Sequence, residues 1–287
     1  MLRNLKEFYY PTTVPEALAI LERFDSKAAV VAGGTTLGRT DDAKIEAMID
    51  ITRMGLSFIK EDKVSLRLGA TTPLQTLAKT RKLQSFAGGL IASAAAAQPS
   101  KQLRNAMTLG GSIVISTPWS DMPPALLTLD AQMILVGKID RVIPAEEFLF
   151  EPKYRLLGRS EILTEVRISR ELAGWRSQYA VFSRTRTDPA MAIASVALRD
   201  DGDTCVGARV VLGGITRKAS RCPAAEKKLV GKKLGPSHFT AAAKAALAGI
   251  DVVADWRASR EYRLHVAEVL MRRTLAACWE QAKGVAR

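Results

Sequence analysis

The sequence predicts an α+β protein of 287 residues in two domains, and three observations predict it. Short apolar strand patterns alternate with helical patterns through the first 172 residues. Three alternating segments then follow closely, Gln178–Ser183, Ala192–Leu198 and Ala208–Leu212, as in a small antiparallel sheet. After them the chain is helical to its end. A shift to polar residues over Ser169–Ser177 separates the two patterns, so the domains are 1–172 and 173–287.

Each element has a local reason. Thr13-Val14-Pro15-Glu16 is a capping box with proline in the first turn, and Ala17, Leu18, Leu21 and Phe24 then recur at helical spacing. Ala28–Val31 is a short buried strand, Ala47–Ile51 a second, and Val64–Leu68 a third that alternates. Thr72-Pro73 starts a helix. Leu83–Ala97 is helical but loosened at Gly88-Gly89, and Gln98-Pro99-Ser100 ends it. Ile113–Ile115 is apolar and β-branched and is expected as a strand. Pro124–Leu129 is a short helix, Met133–Val136 a strand, Glu146-Glu147-Phe148 a helical turn and Glu161–Ile168 a strand. Asp200-Asp201-Gly202-Asp203 joins two strands as a turn, and no EF-hand spacing accompanies its acids. Pro223–Val230, Phe239–Leu247 and Tyr262–Trp279 are helices.

Two glycine pairs stand out against this background. Val31-Ala32-Gly33-Gly34-Thr35-Thr36-Leu37 follows the first buried strand. Thr108-Leu109-Gly110-Gly111-Ser112 lies near the middle of the chain. Glycines admit positive φ and close backbone approach, and successive N–H groups in such a turn form an anion nest suited to phosphate. Thr108 and Ser112 add hydroxyl donors. The pair therefore holds one diphosphate, as part of a dinucleotide. Neither stretch fits G-x-G-x-x-G or the Walker phosphate loop. The polar run Gly38-Arg39-Thr40-Asp41-Asp42 after the first pair also disfavours a Rossmann unit. Asp121, ahead of Pro123-Pro124 and an apolar run, is placed as the N-cap of a helix.

Composition narrows the classes. With 47% hydrophobic residues the chain can bury a core, and no apolar run reaches the ~18 residues of a membrane span. The N-terminus lacks the apolar region of a secretory signal. Cys205, Cys222 and Cys278 are few, odd in number and far apart, which fits reduced thiols in the cytoplasm. No Cys/His cluster offers a metal site, and two histidines make a His-based triad a poor prospect. The net charge of +13 is uneven. Residues 1–172 carry 22 Lys/Arg against 19 Asp/Glu, and residues 173–287 carry 20 against 10. Such a surface is read either as a solvated basic face or as one that attracts acidic partners or an anionic ligand.

Several segments in fixed order carry a family resemblance. They are Ala32-Gly33-Gly34-Thr35, Leu103-Arg104-Asn105 with Thr108-Leu109-Gly110-Gly111, and Pro123-Pro124-Ala125-Leu126-Leu127 with Leu129-Asp130-Ala131. Further on come Glu161-Ile162-Leu163-Thr164-Glu165, Ser183-Arg184 with Asp188, Leu212-Gly213-Gly214, and Ser259 with Tyr262-Arg263. The chain resembles, over nearly its whole length, the FAD-binding medium subunit of the molybdenum hydroxylases, of the xanthine dehydrogenase and carbon monoxide dehydrogenase type. The resemblance implies a two-part FAD-binding domain of the vanillyl-alcohol-oxidase-like (PCMH) kind, followed by a flavoprotein C-terminal domain. It implies FAD, with its diphosphate at Ala32, Gly33, Gly34, Thr35, Thr36, Leu37, Thr108, Gly110, Gly111 and Ser112. Asp121 would meet the ribityl–phosphate region, Arg186 and Asp188 would lie near the isoalloxazine ring, and the 161–168 strand would line that ring with backbone. No catalytic side chain and no metal ligand is implied on this chain.

The implied partners are a molybdenum-cofactor large subunit and a [2Fe-2S] small subunit, assembled as a dimer of heterotrimers in the cytoplasm. The chain departs from the family where Val181 replaces a common lysine, Ser112 a common asparagine and Thr36 a common Asp, Ser or Asn. No cysteine precedes Cys205, so the extra iron–sulfur loop of some relatives is not expected. Two other readings stand beside this one. A self-sufficient FAD-dependent oxidoreductase would need its own substrate pocket and base. A basic nucleic-acid-binding or scaffold protein would be colourless and bind DNA or RNA in a salt-dependent way.

Overall fold

The structure, a computed structural model, describes residues 2–37, 42–150 and 160–280. Within it the chain divides into two units, each drawn from separated segments. One takes 1–76, 100–115 and 131–170, and the other takes 77–99, 116–130 and 171–287.

The first unit contains two sheets. In the smaller, Ala47–Asp50 lies between Glu7–Tyr9 and Ala28–Val31, and both pairings are parallel. The Val14–Phe24 helix supplies Ala17 and Leu21 to a cluster with Ile49 and Ile51. Its start bears out the capping signal: the Thr13 hydroxyl accepts from the Glu16 N–H, while the Glu16 carboxylate accepts from the N–H of Thr12. The larger sheet is antiparallel, in the order Ile59–Glu61, Ser65–Gly69, Ile162–Ser169, Gln132–Val136, Arg141–Pro144. The Ile162–Ser169 strand is central, and its first five residues are all buried. Glu165 is tolerated among them because Arg67 grips its carboxylate with two hydrogen bonds of 2.8 and 2.6 Å, which satisfies a charge that burial alone would penalise.

The second unit is built on a strongly antiparallel sheet. Arg176–Phe182, Ala192–Asp201, Thr204–Gly213 and Ser220–Arg221 follow one another across it, and Lys232–Lys233 also pairs with Thr204–Gly213. Gly202 takes φ 63 in the turn after Asp201, as the Asp-rich segment requires. Ala192, Ala194, Val196, Leu198, Val210 and Leu212 belong to a core shared with helical residues Ala225, Leu229, Ala242, Met271, Leu275 and Cys278. Those helices run Pro223–Leu229, Pro236–Leu247 and Arg260–Glu280. Buried Ser195 is paired with Thr128 of the Met122–Thr128 helix, their hydroxyls 2.7 Å apart.

The structure corrects one element. Ile113 and Val114 belong to the Leu109–Val114 helix and Ile115 is its C-cap, although Ile113–Ile115 had the β-branched look of a strand. The Thr108 cap and the Ser112 N–H bond to Thr108 O start the helix, and Ile113 is fully buried from it. Local β propensity is a weak force against such tertiary context. The loosening at Gly88-Gly89 is found, with φ 46, 63 and 81 at Ala87, Gly88 and Gly89 between the Arg81–Ser85 and Leu90–Ala97 helices. Of the polar run 38–42, residues 38–41 lie outside the described residues. No helix among the described residues is long and apolar enough to cross a membrane.

Candidate cofactor site

The first glycine loop leaves the Ala28–Val31 strand at its C-terminal end. Gly34 takes φ 64, the left-handed conformation that glycine adopts without steric cost. Gly33 has a different reason to be glycine. A Cβ there would fall on the carbonyl oxygen of Ala106, far inside contact distance. The first loop therefore lies flush against the end of the Lys101–Ala106 helix, which leads directly into the second glycine pair. Among the described residues no acceptor meets the N–H groups of Gly33, Gly34 or Thr35. Unmatched donors at a loop surface suit an anion.

The second pair is built differently from an anion nest. Gly110 and Gly111 have no positive φ and sit in the first turn of the Leu109–Val114 helix. The N–H groups of Leu109 and Gly110 donate to the carbonyls of Thr72 and Ala70, at 3.0 and 2.7 Å. Those bonds hold the helix start against the turn after Ser65–Gly69, so these two donors do not face a phosphate. Gly110 is glycine because its Cβ would crowd Ala70 at 3.0 Å. Gly111 is exposed, and its N–H donates to the Thr108 hydroxyl oxygen at 3.2 Å. That leaves the Thr108 O–H proton with no acceptor among the described residues. The Ser112 hydroxyl donates to Leu109 O within its own helix, which leaves its oxygen able to accept.

A cleft of about 590 Å³, counting the space open to solvent, is lined by Ala32 at the start of the first loop and by the second glycine pair, while Gly33, Gly34, Thr35, Thr36 and Leu37 are not among its described lining residues. Ala32 lies on one side, Thr108, Gly110 and Gly111 on another, and Glu161, Ile162 and Leu163 form a third wall. Among the described lining residues none is Lys or Arg. The single acid, Glu161, is neutralised by a two-pronged pair with Arg141 at 2.8 and 2.6 Å, so it does not repel an anion. Ala32, the Thr108–Gly111 turn and residues 161–163, up to ~130 residues apart in the sequence, thus border one cleft.

Asp121, Arg186 and Asp188 belong to the second unit. Asp121 stands at the N-cap position of Met122–Thr128, but its side chain makes no cap. Instead its carboxylate accepts from the Tyr179 hydroxyl at 3.0 Å, and its carbonyl lies 3.1 Å from the same hydroxyl. Burial pushes the Asp121 carboxyl up to about 6, against the opposing pull of that hydrogen bond. Burial and the Asp121 charge push the Tyr179 phenol well above its ordinary value, so it stays a donor. Tyr179 was not singled out from sequence, because a tyrosine in an alternating strand looks like any half-buried residue. Asp188 is half-buried and pairs with Arg184 at 3.5 Å, while Arg186 stands exposed between them. Asp188 is therefore not paired with Arg186 in the described structure.

The chain is similar to known proteins over nearly its whole length. Residues 3–170 match the family described as FAD binding domain in molybdopterin dehydrogenase. Residues 177–278 match CO dehydrogenase flavoprotein C-terminal domain. The chain is 30% identical over 278 residues to the carbon monoxide dehydrogenase medium chain of Hydrogenophaga pseudoflava, covering 95% of this chain and 96% of that one. It is 29% identical to the nicotine 6-hydroxylase medium subunit of Paenarthrobacter nicotinovorans, over 92% of this chain and 94% of that one. A solved structure of carbon monoxide dehydrogenase from Hydrogenophaga pseudoflava, lacking the Mo-pyranopterin moiety of its cofactor, superposes with a TM-score of 0.91 at 31% identity. It covers 98% of this chain and 99% of that one.

The chain belongs to the FAD-binding medium subunits of the molybdenum hydroxylase family, and FAD is its cofactor. The fold is the PCMH-like FAD-binding domain followed by a sheet-and-helix domain. Neither a self-sufficient oxidoreductase nor a nucleic-acid-binding scaffold is favoured by these relatives.

Proposed function

We propose that the chain holds FAD on its two glycine loops and relays electrons from a [2Fe-2S] subunit to an external acceptor. A third subunit would carry the molybdenum cofactor, in a cytoplasmic dimer of heterotrimers. Bound FAD would supply the redox chemistry, since a flavin exchanges electrons singly or in pairs, and the protein orients it and sets its electrostatics. The observation that supports this reading is the close approach of Gly33 to Ala106, which sets the first glycine loop beside the helix that leads into the second.

In this reading Gly33, Gly34 and Thr35 present N–H donors to the diphosphate, and Ala32, Thr36 and Leu37 complete that loop. Thr108 adds its hydroxyl proton, Gly110 and Gly111 leave room for close approach, and Ser112 orders the helix start. Asp121, positioned by Tyr179, takes a ribityl or adenosine hydroxyl. Arg186 and Asp188 tune the ring. The sequence domains 1–172 and 173–287 serve cofactor binding and its support. The two matched family segments, which end at 170 and begin at 177, support that division. Three free cysteines, all buried, agree with a reducing compartment, and among the described residues no group of three metal-ligating side chains occurs.

The test is Gly111→Val in the full chain. Gly111 is exposed on the cleft, and its nearest neighbour for a Cβ is the Thr108 hydroxyl at 3.0 Å. The variant should keep its circular dichroism and lose bound FAD. Full flavin occupancy in a folded variant would contradict the placement of the diphosphate.

A further inference from the structure

Two loops of the second unit are joined by one cluster of charged side chains near the start of the last helix. Arg263 has a side chain only 1% exposed. A buried guanidinium needs a counter-charge, and Asp255 supplies it at 2.6 Å. The same carboxylate accepts from Arg257 through both Nε and Nη2, at 3.0 and 2.6 Å. Those contacts, Arg257 first, hold the Asp255 carboxyl far below the usual carboxylate range.

The guanidinium groups also reach the backbone. Arg263 Nη1 donates to Gly214 O at 3.0 Å, and Gly214 N–H donates to Pro118 O at 2.9 Å. Arg257 Nη1 donates to Pro189 O at 3.3 Å, and its guanidinium lies 5.1 Å from the centroid of the Trp119 ring. Pro118 and Trp119 stand three and two residues before Asp121. Pro189 immediately follows Asp188. One carboxylate with two arginines thus tethers both loops that carry Asp121, Arg186 and Asp188.

We infer that Asp255, Arg257 and Arg263 act as a clasp that positions the 116–121 and 183–189 loops for the cofactor. This rests on the FAD reading above, because the loops matter only if their residues meet the flavin. These are positioning residues, and Arg257 is the most informative. It touches both loops, and removing it leaves Arg263 still paired with Asp255. Removing Asp255 would strand two guanidinium groups, which confounds positioning with folding.

The experiment uses the full chain with Arg257→Ala and Arg257→Lys, and with Lys233→Ala as a control on an exposed ion pair of the same unit. Two quantities are read: FAD affinity, and in the FAD-free chain the rate of tryptic cleavage after Arg184 and Arg186. Cleavage of a folded protein reports the open population of the loop. For Arg257→Ala the clasp predicts FAD affinity lower by about tenfold and loop cleavage faster by about tenfold, the scale of one lost charged hydrogen bond. Lysine keeps the charge beside Asp255 but lacks the planar fork. Arg257→Lys should therefore fold even if the alanine variant does not, and should still show both effects in weaker form. Lys233→Ala should show neither.

Unchanged affinity and cleavage in the arginine variants, with FAD bound by the unsubstituted chain, would overturn the clasp alone. Faster cleavage at unchanged affinity would overturn its role toward the cofactor. An unsubstituted chain that takes up no FAD would overturn the FAD reading itself, and the clasp's function with it.

Discussion

Gly33, Gly111 and Asp121 differ in what the structure asks of each, and the proposed site uses them in three different ways. Gly33 is required by close approach, since Ala106 O occupies the place of a side chain. Gly111 is exposed and borders the cleft, where a Cβ would meet only the Thr108 hydroxyl at 3.0 Å. Asp121 serves at a cost to stability, because burial raises its carboxyl to about 6. A carboxyl whose folded value is raised contributes stability that is fully present below its unfolded value near ~4 and is lost as pH rises through about 6. Asp121→Asn has no charge to bury. It should match the unsubstituted FAD-free chain in stability at pH 4 and exceed it by about 1–3 kcal/mol at pH 7.5, while binding FAD more weakly. Denaturation curves at the two pH values check the sign. A variant that is less stable at pH 7.5 would mean that the ionised carboxylate is well accommodated.

At the scale of elements, the short Leu109–Val114 helix is held by its cap and by two bonds to the turn before it. Thr108→Ala removes the hydroxyl that accepts from Gly111 N–H and should lower stability by about 1 kcal/mol, with Thr108→Ser restoring most of it. Urea denaturation of the three forms measures this directly. This helix also marks where sequence reading stops. The glycine pairs, the strand at 161–168 and the three strands of the second unit were legible, because turn residues and period-two alternation are local signals. The helical character of Ile113 was not, because it depends on the carbonyls of Ala70 and Thr72, some forty residues earlier in the chain. Tyr179 and the Asp255–Arg257–Arg263 cluster were not legible as parts of a site for the same reason. Their meaning lies in partners distant in sequence, and Arg263 entered only as part of a family resemblance.

At the scale of the whole molecule, the division of labour fits a relay subunit. The described lining of the cleft is aliphatic side chains, small residues, Thr108 and one neutralised acid. That is a surface suited to holding a cofactor. The excess positive charge of 173–287 suits association with acidic partners, with a rate that falls as salt rises. The measurement that bears most directly on the central claim is the visible spectrum of the purified full chain after incubation with FAD, followed by mass identification of what heating releases. The account predicts flavin absorption and FAD released in about equimolar amount. A colourless chain that takes up no added FAD, alone or co-expressed with its neighbouring subunits, would contradict it.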